Sequence, residues 1–533
     1  MVFEFPPRLY SFSAKIEGKG RIGALALILQ TTYMTSTALQ PVITSPETSF
    51  ELPTRADVPS LARRGLSWSF VLLLGRYVLS IVSTAVLARL LSPTDYGLMG
   101  MVSTITVLGQ AISDFGLSWA TVQRERLTRD QVDALFLINC TFGLLLSALC
   151  FLSAPYIASF YHRPELTKII MAASGSLFLS AVAVQPTALM RRQMKLKELN
   201  VCTLWSLLSS AVVTIVLASL GFGYWSLVFQ LVLQQGISAV LSFPLSGYYP
   251  RIPRTFLHIG SLLTFGGYSA GYGMINYFAR NLDNVLVGKY WGATALGYYS
   301  RAYFLMTLPS MIVMGVFGGV LIPAMASLRT EPARMEAAYI RAVRLITVSG
   351  CTFAVALAAA APELVDLVYG PKWRAVVPIL LWLSAASILQ PIQSTVGWLY
   401  IVAERGRGMF MMGLIVAGSA ALAFAVGIPS GPVGVARAYA VANTIIAYPI
   451  LVMGHRACSL NIRNSVAAIA PLLVCALIMG AVVWIAGVEA STLGMGLHAR
   501  LALKVTIGVS VYTITLRRLS RSTYSEILAQ AFG

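Results

Sequence analysis

Apolar runs of roughly 20 residues recur from Leu66 to the C-terminus, and this repetition narrows the possible folds more than any other feature. An α-helix rises about 1.5 Å per residue, so about 20 such residues cross the ~30 Å hydrocarbon core of a bilayer. Backbone at that depth must satisfy its own hydrogen bonds, which selects helices for runs of this length. The chain reads as an all-α, polytopic membrane protein. Spans are expected near 66–88, 96–119, 134–154, 167–189, 199–219, 223–245, 258–279, 296–323, 338–360, 376–400, 409–427, 432–453, 465–487 and 499–516, about fourteen in all.

Charge supports the count. Only 11% of the 533 residues are charged and 57% are hydrophobic, whereas about a quarter of the residues of a soluble domain are charged. The net charge of +19 gathers in short loops. With a cytoplasmic N-terminus, about 22 basic residues fall in inner loops against about 8 in outer ones, among them Arg89, Lys289, Lys372 and Lys504. That bias follows the positive-inside rule, places both termini in the cytoplasm and removes nucleic acid as the partner. Basic loops of this kind also suit anionic membrane lipids. The six cysteines are scattered without metal spacing and read as packing residues. No G-x-x-x-x-G-K-[ST] phosphate loop occurs, so no ATP hydrolysis, metal or cofactor is expected. Residues 1–60 are polar, lack a signal-peptide pattern and are expected to form a disordered cytoplasmic tail.

A shift of 200 residues lays Leu87-Ala-Arg-Leu-Leu-Ser-Pro-Thr-Asp-Tyr-Gly97 over Val287-Gly-Lys-Tyr-Trp-Gly-Ala-Thr-Ala-Leu-Gly297. Thr94 meets Thr294, Gly97 meets Gly297, and Arg89 meets Lys289. Six spans separate the two stretches, so the repeat is parallel. It divides the chain into a six-helix lobe at 61–250, a second at 251–457, and two extra helices with a cytoplasmic tail at 458–533. Two lobes around a cleft suit alternating access.

The stretch Tyr277–Tyr303 carries Arg280, Asp283, Lys289 and Arg301 between two apolar runs, with a turn expected over Gly292–Gly297. Charges at membrane depth persist where they pair or face a wet cavity. Arg280 and Asp283 are three residues apart and share a helix face, which allows an ion pair. Asp283 with Asn284 equally suits a proton or cation site. Asp114 and Asp283 are the two acids that fall clearly within spans, and a cap or interface role competes with coupling at Asp114. Arg76 lies mid-span in the first helix, too deep to snorkel easily. Arg301 and Lys289 lie nearer the outer face, where interfacial anchoring competes with a cavity role.

Arg280-Asn-Leu-Asp-Asn-Val-Leu-Val-Gly-Lys-Tyr, Leu296-Gly-Tyr-Tyr-Ser-Arg-Ala-Tyr and Leu308-Pro309 carry a resemblance, as do the Leu87–Gly97 stretch, Asp114-Phe-Gly-Leu and Ala120-Thr-Val-Gln-Arg. Over residues 61–520 the chain resembles bacterial polysaccharide flippases of the Wzx type, in the exopolysaccharide and colanic-acid-like branch of the multidrug and oligosaccharidyl-lipid exporters. The resemblance implies a carrier in the inner membrane, not an enzyme, that moves undecaprenyl-pyrophosphate-linked oligosaccharide for exopolysaccharide or lipopolysaccharide synthesis. It also implies a polysaccharide polymerase and a chain-length regulator as partners. A pyrophosphate needs fixed positive charge, which guanidinium groups supply in bidentate form. Arg76, Arg280, Arg301 and Lys289 are the substrate-binding candidates, and Asp283, Asn284 and Asp114 the coupling or structural ones. A drug-cation antiporter of the same superfamily and a membrane polymerase or ligase are the competing readings.

Overall fold

The computed structural model describes residues 58–525 apart from 115, 124–126, 254–259, 330 and 522, and no strand occurs among the described residues. The polar tail at 1–57 lies outside them. The helices run as α1 Val58–Leu90, α2 Pro93–Ser113, a short α3 Leu117–Gln123, α4 Arg129–Phe160, α5 Glu165–Arg192, α6 Leu196–Ser219 and α7 Tyr224–Ser246. They continue as α8 Gly260–Ser327, α9 Pro332–Ile346, α10 Thr352–Ala359, α11 Ala361–Val368, α12 Val376–Ser387, α13 Gln390–Val402, α14 Gly406–Gly427, α15 Gly431–Ala457, α16 Ile462–Thr492 and α17 Leu497–Leu519. Ten helical stretches among the described residues are long and apolar enough to cross a membrane. One of these, Gly406–Ala457, turns at the 3-10 segment Ile428–Ser430 and so holds two passes. With α1 and the two arms of α8, the fourteen crossings are accounted for.

Local sequence explains the helix starts. Ser92 caps α2 and Asp95 answers it, a reciprocal box that Thr128 and Gln131 repeat at α4. In α8 the backbone leaves helical geometry at Gly292 alone, with φ 79°. The turn expected over Gly292–Gly297 is therefore one residue wide, and Gly297 lies in a helix. Its role is close approach: a β carbon there would collide with the carbonyl oxygen of Pro93. At Gly97 it would collide with the carbonyl of Ala293. The span expected at 376–400 is broken between α12 and α13, where Pro391 sits in the first turn of α13.

The outer surface is apolar, as a lipid-facing surface requires. On α4, Leu144, Leu149 and Leu152 are more than half exposed. The core is knotted around Trp373, which is fully buried and meets the rings of Tyr96, Tyr369 and Tyr298 at 5.4, 5.6 and 5.9 Å. One expectation about charge needs correction. Lys504 is not a loop residue. It lies buried in α17, 2.6 Å from the equally buried Glu363, and also donates to Ala359 O. Asp133, near the start of α4, is buried as well and accepts from Tyr248 Oη at 2.6 Å.

Candidate functional site

The two stretches related by the 200-residue shift lie against each other. Thr94 Oγ1 and Thr294 Oγ1 share a hydrogen bond at 2.8 Å, and each glycine packs on the backbone opposite the other. The contact is self-complementary, as a two-fold interface is: residue i touches j, and the counterpart of i touches the counterpart of j. The matched cations extend the symmetry. Arg89 Nη2 donates to Leu367 O, in the last turn of α11, at 2.8 Å. Lys289 Nζ donates to Phe160 O, the last residue of α4, and lies over the Phe160 ring at 4.3 Å. Each satisfies a helix-end carbonyl and meets the negative end of a helix dipole. Lys372 Nζ adds bonds to Arg89 O and Leu91 O, and Trp373 Nε1 one to Ala88 O, all at the end of α1. Desolvation lowers the Lys372 ammonium from its ordinary value, while Asp95 opposes that shift.

Next to this junction is a cavity of about 360 Å³ between α1, α2, α7 and α8. Its wall is polar by way of neutral groups: Ser83, Thr104, Gln230, Gln234, Asn281 and Asn284. Among the described residues Arg301 is the one basic side chain on it, and no carboxylate of theirs lines it. Aromatic rings hold the guanidinium in place, with Cζ 4.5 Å from the centre of Tyr96 and 5.6 Å from that of Phe304. The Arg301 Nε is buried without a hydrogen-bond partner among the described residues. Asn284 Oδ1 is in the same state. The cavity therefore presents an uncompensated positive charge among hydroxyl and amide donors, a set that suits an anion.

A second cavity, of about 260 Å³, lies on the other side of α8 among α13, α14 and α15. Asp283 is on its wall with Tyr303, Gln390, Gln393, Tyr439 and Asn443. The Asp283 carboxylate is buried, accepts from Tyr299 Oη at 2.8 Å and takes the Asn284 backbone N–H at 2.8 Å.

The structure thus distributes the candidates. Arg301 and Asn284 meet at the first cavity and Asp283 faces the second. Lys289 serves the junction instead. Arg76 is partly buried with its Cζ 5.5 Å from the Tyr77 ring centre, and it is not on either cavity wall. Asp114 accepts from Ser118 N at 3.0 Å and Ser118 Oγ at 2.6 Å, which starts α3. Arg280 is helical by its backbone, and its side chain lies outside the described residues. Sequence reasoning passed over Gln230 and Gln234, although two glutamines four residues apart in an apolar span were a readable signal. It also passed over Glu363 and Trp373.

The profile of the polysaccharide biosynthesis protein family matches residues 86–378, more than half of the chain and the whole of this junction. The chain belongs to that family, as its resemblance to Wzx-type flippases implied. It is 24% identical to the teichuronic acid biosynthesis protein TuaB of Bacillus subtilis, covering 88% of this chain and 99% of that one. It is 23% identical to the lipopolysaccharide biosynthesis protein WzxC of Escherichia coli, over 73% of this chain and 80% of that one. Its fold is that of the lipid II flippase MurJ in an inward closed conformation, with TM-score 0.70, 15% identity, 86% of this chain and 99% of that one.

Proposed function

We propose that this protein moves a lipid-linked oligosaccharide across the bacterial inner membrane by alternating access. One observation carries the reading: Arg301 stands in a polar cavity with no acid on its wall among the described residues. A lipid diphosphate brings the negative charge such a site lacks, and a drug cation does not. Residues 61–250 and 251–457 act as two lobes, with 458–533 appended and both termini cytoplasmic. The junction at Thr94 and Thr294 is then the outer closure, which parts when the lobes rock. The names of the relatives, in lipopolysaccharide and teichuronic acid biosynthesis, fit this cargo class. The reading is one of transport and involves no bond-making chemistry.

A deletion strain tests it. Lipid-linked repeat units should accumulate on the cytoplasmic leaflet while surface polysaccharide is lost. Unchanged polysaccharide with altered drug tolerance overturns the reading in favour of a drug exporter.

A further inference from the structure

We infer that the second cavity, beside Asp283, is a carbohydrate subsite for one uncharged sugar ring of the cargo, an inference that rests on the transport reading above. Its volume of about 260 Å³ is just below the ~300–1,000 Å³ of ordinary ligand pockets, which suits one ring and not a whole repeat unit.

The wall is built where a membrane helix breaks. Between Ser387 and Gln390 the α12–α13 pass loses its continuity, and Asn443 Nδ2 takes up the freed carbonyl of Ala386 at 2.7 Å. Gln393 Nε2 in turn donates to Asn443 O at 3.0 Å. Each amide nitrogen gives one of its two N–H groups to backbone, so the side-chain oxygen and a second N–H of Asn443 and of Gln393 are left to meet a ligand. Gln390 Oε1 is buried and accepts nothing among the described residues. Irregular backbone at membrane depth is tolerated where it lines a cavity, and transporters place ligands at such breaks.

The chemistry selects the ligand. Among the described residues no cationic side chain lines this cavity, so an anionic group finds no partner among them. Among the described residues Asp283 is the one acid on the wall; it already accepts from Tyr299 and Asn284, and no histidine or cysteine accompanies it, a poor set for a divalent cation. Amide oxygens accept from sugar hydroxyls, and Tyr303, Tyr439 and Phe424 bring aromatic surface for the ring faces. Gly397 and Gly413 are also on the wall, and nothing lies within 4 Å of where a β carbon would stand on either. Both are in helices, so a larger residue at either position fills the cavity and also favours the helix.

The test uses the full chain in lipid nanodiscs and two probes: a polyprenyl diphosphate, and the same lipid bearing a single neutral hexose, glucose and galactose in turn. The wild type should bind one of the hexosyl lipids at least tenfold tighter than the bare lipid. Gly413→Leu and Gly397→Val should bring that ratio to within twofold of one, and the fold is checked by retained thermal unfolding. A ratio that survives both substitutions overturns the subsite, as does equal binding of bare and hexosyl lipids by the wild type. A wild type that binds none of the lipids overturns the transport reading, and the subsite falls with it.

Discussion

The two cavities share one wall and differ in sign. Asn281, Asn284 and Arg301 face the first, and Asp283 faces the second, so neighbouring residues of one helix serve opposite sides. Successive helix positions point about 100° apart, which is enough to separate an acid from an amide across a single helix. Had Asp283 shared the cavity of Arg301, the two would have neutralised each other and neither would be available to a ligand. Instead Arg301 keeps its charge against aromatic faces, while Asp283 is held by a phenol. Separation of Arg301 and Asp283 onto the two arms of α8, facing different cavities, is the feature that lets a single carrier offer an anion site and a neutral polar site side by side.

The largest effect is expected where both cavities are closed from one side. Thr94→Cys combined with Thr294→Cys places two thiols at positions whose hydroxyl oxygens are 2.8 Å apart, within the reach of a disulfide. Oxidation should stop export almost entirely, and reduction should restore it. Export that continues with the bridge formed would separate the junction from the transport cycle.

Glu363→Ala lies away from both cavities and separates stability from transport. It strands Lys504 in a buried position, and loss of one partner of a buried pair costs about 3–5 kcal/mol. Thermal unfolding in detergent should shift down by several degrees, while the folded fraction keeps the wild-type preference among probe lipids.

Tyr299→Phe removes the phenol from Asp283, and a buried acceptor left short of a donor costs roughly 1–3 kcal/mol. The loss should appear in unfolding temperature, and binding at the Arg301 cavity should be unaffected. Gln234→Ala is the mildest change. It removes one neutral donor from the anion cavity, and a loss of ~1 kcal/mol corresponds to about fivefold in export rate.

How much of this was legible depends on the range of the interactions. Membrane helices announce themselves in runs of apolar residues, so the crossings could be read directly, while the caps at Ser92 and Thr128 emerged only from the structure. The repeat could also be read, because Thr94, Gly97 and Arg89 recur at Thr294, Gly297 and Lys289. What the repeat means in space could not. Arg89 and Lys289 looked like snorkelling cations, and their acceptors are the carbonyls of Leu367 and Phe160, hundreds of positions away in one case. Lys504 reads in the sequence as an outer-loop cation because its partner Glu363 sits on a short segment that hydropathy places outside the membrane. The direction in which each polar residue faces was equally hidden. Asp283 and Asn284 are adjacent in sequence, and only packing decides which cavity each one serves.

The central claim is that Arg301 provides the charge for the anion. The direct measurement is transport in vesicles reconstituted with equal amounts of full-length wild type, Arg301→Lys and Arg301→Gln, following a polyprenyl-diphosphate oligosaccharide from one leaflet to the other. A lost charge-assisted contact of about 1.5–3 kcal/mol corresponds to at least a tenfold slower rate for Arg301→Gln. Arg301→Lys, which keeps the charge and loses the planar fork, should fall between the two. Wild-type transport by Arg301→Gln would contradict the account.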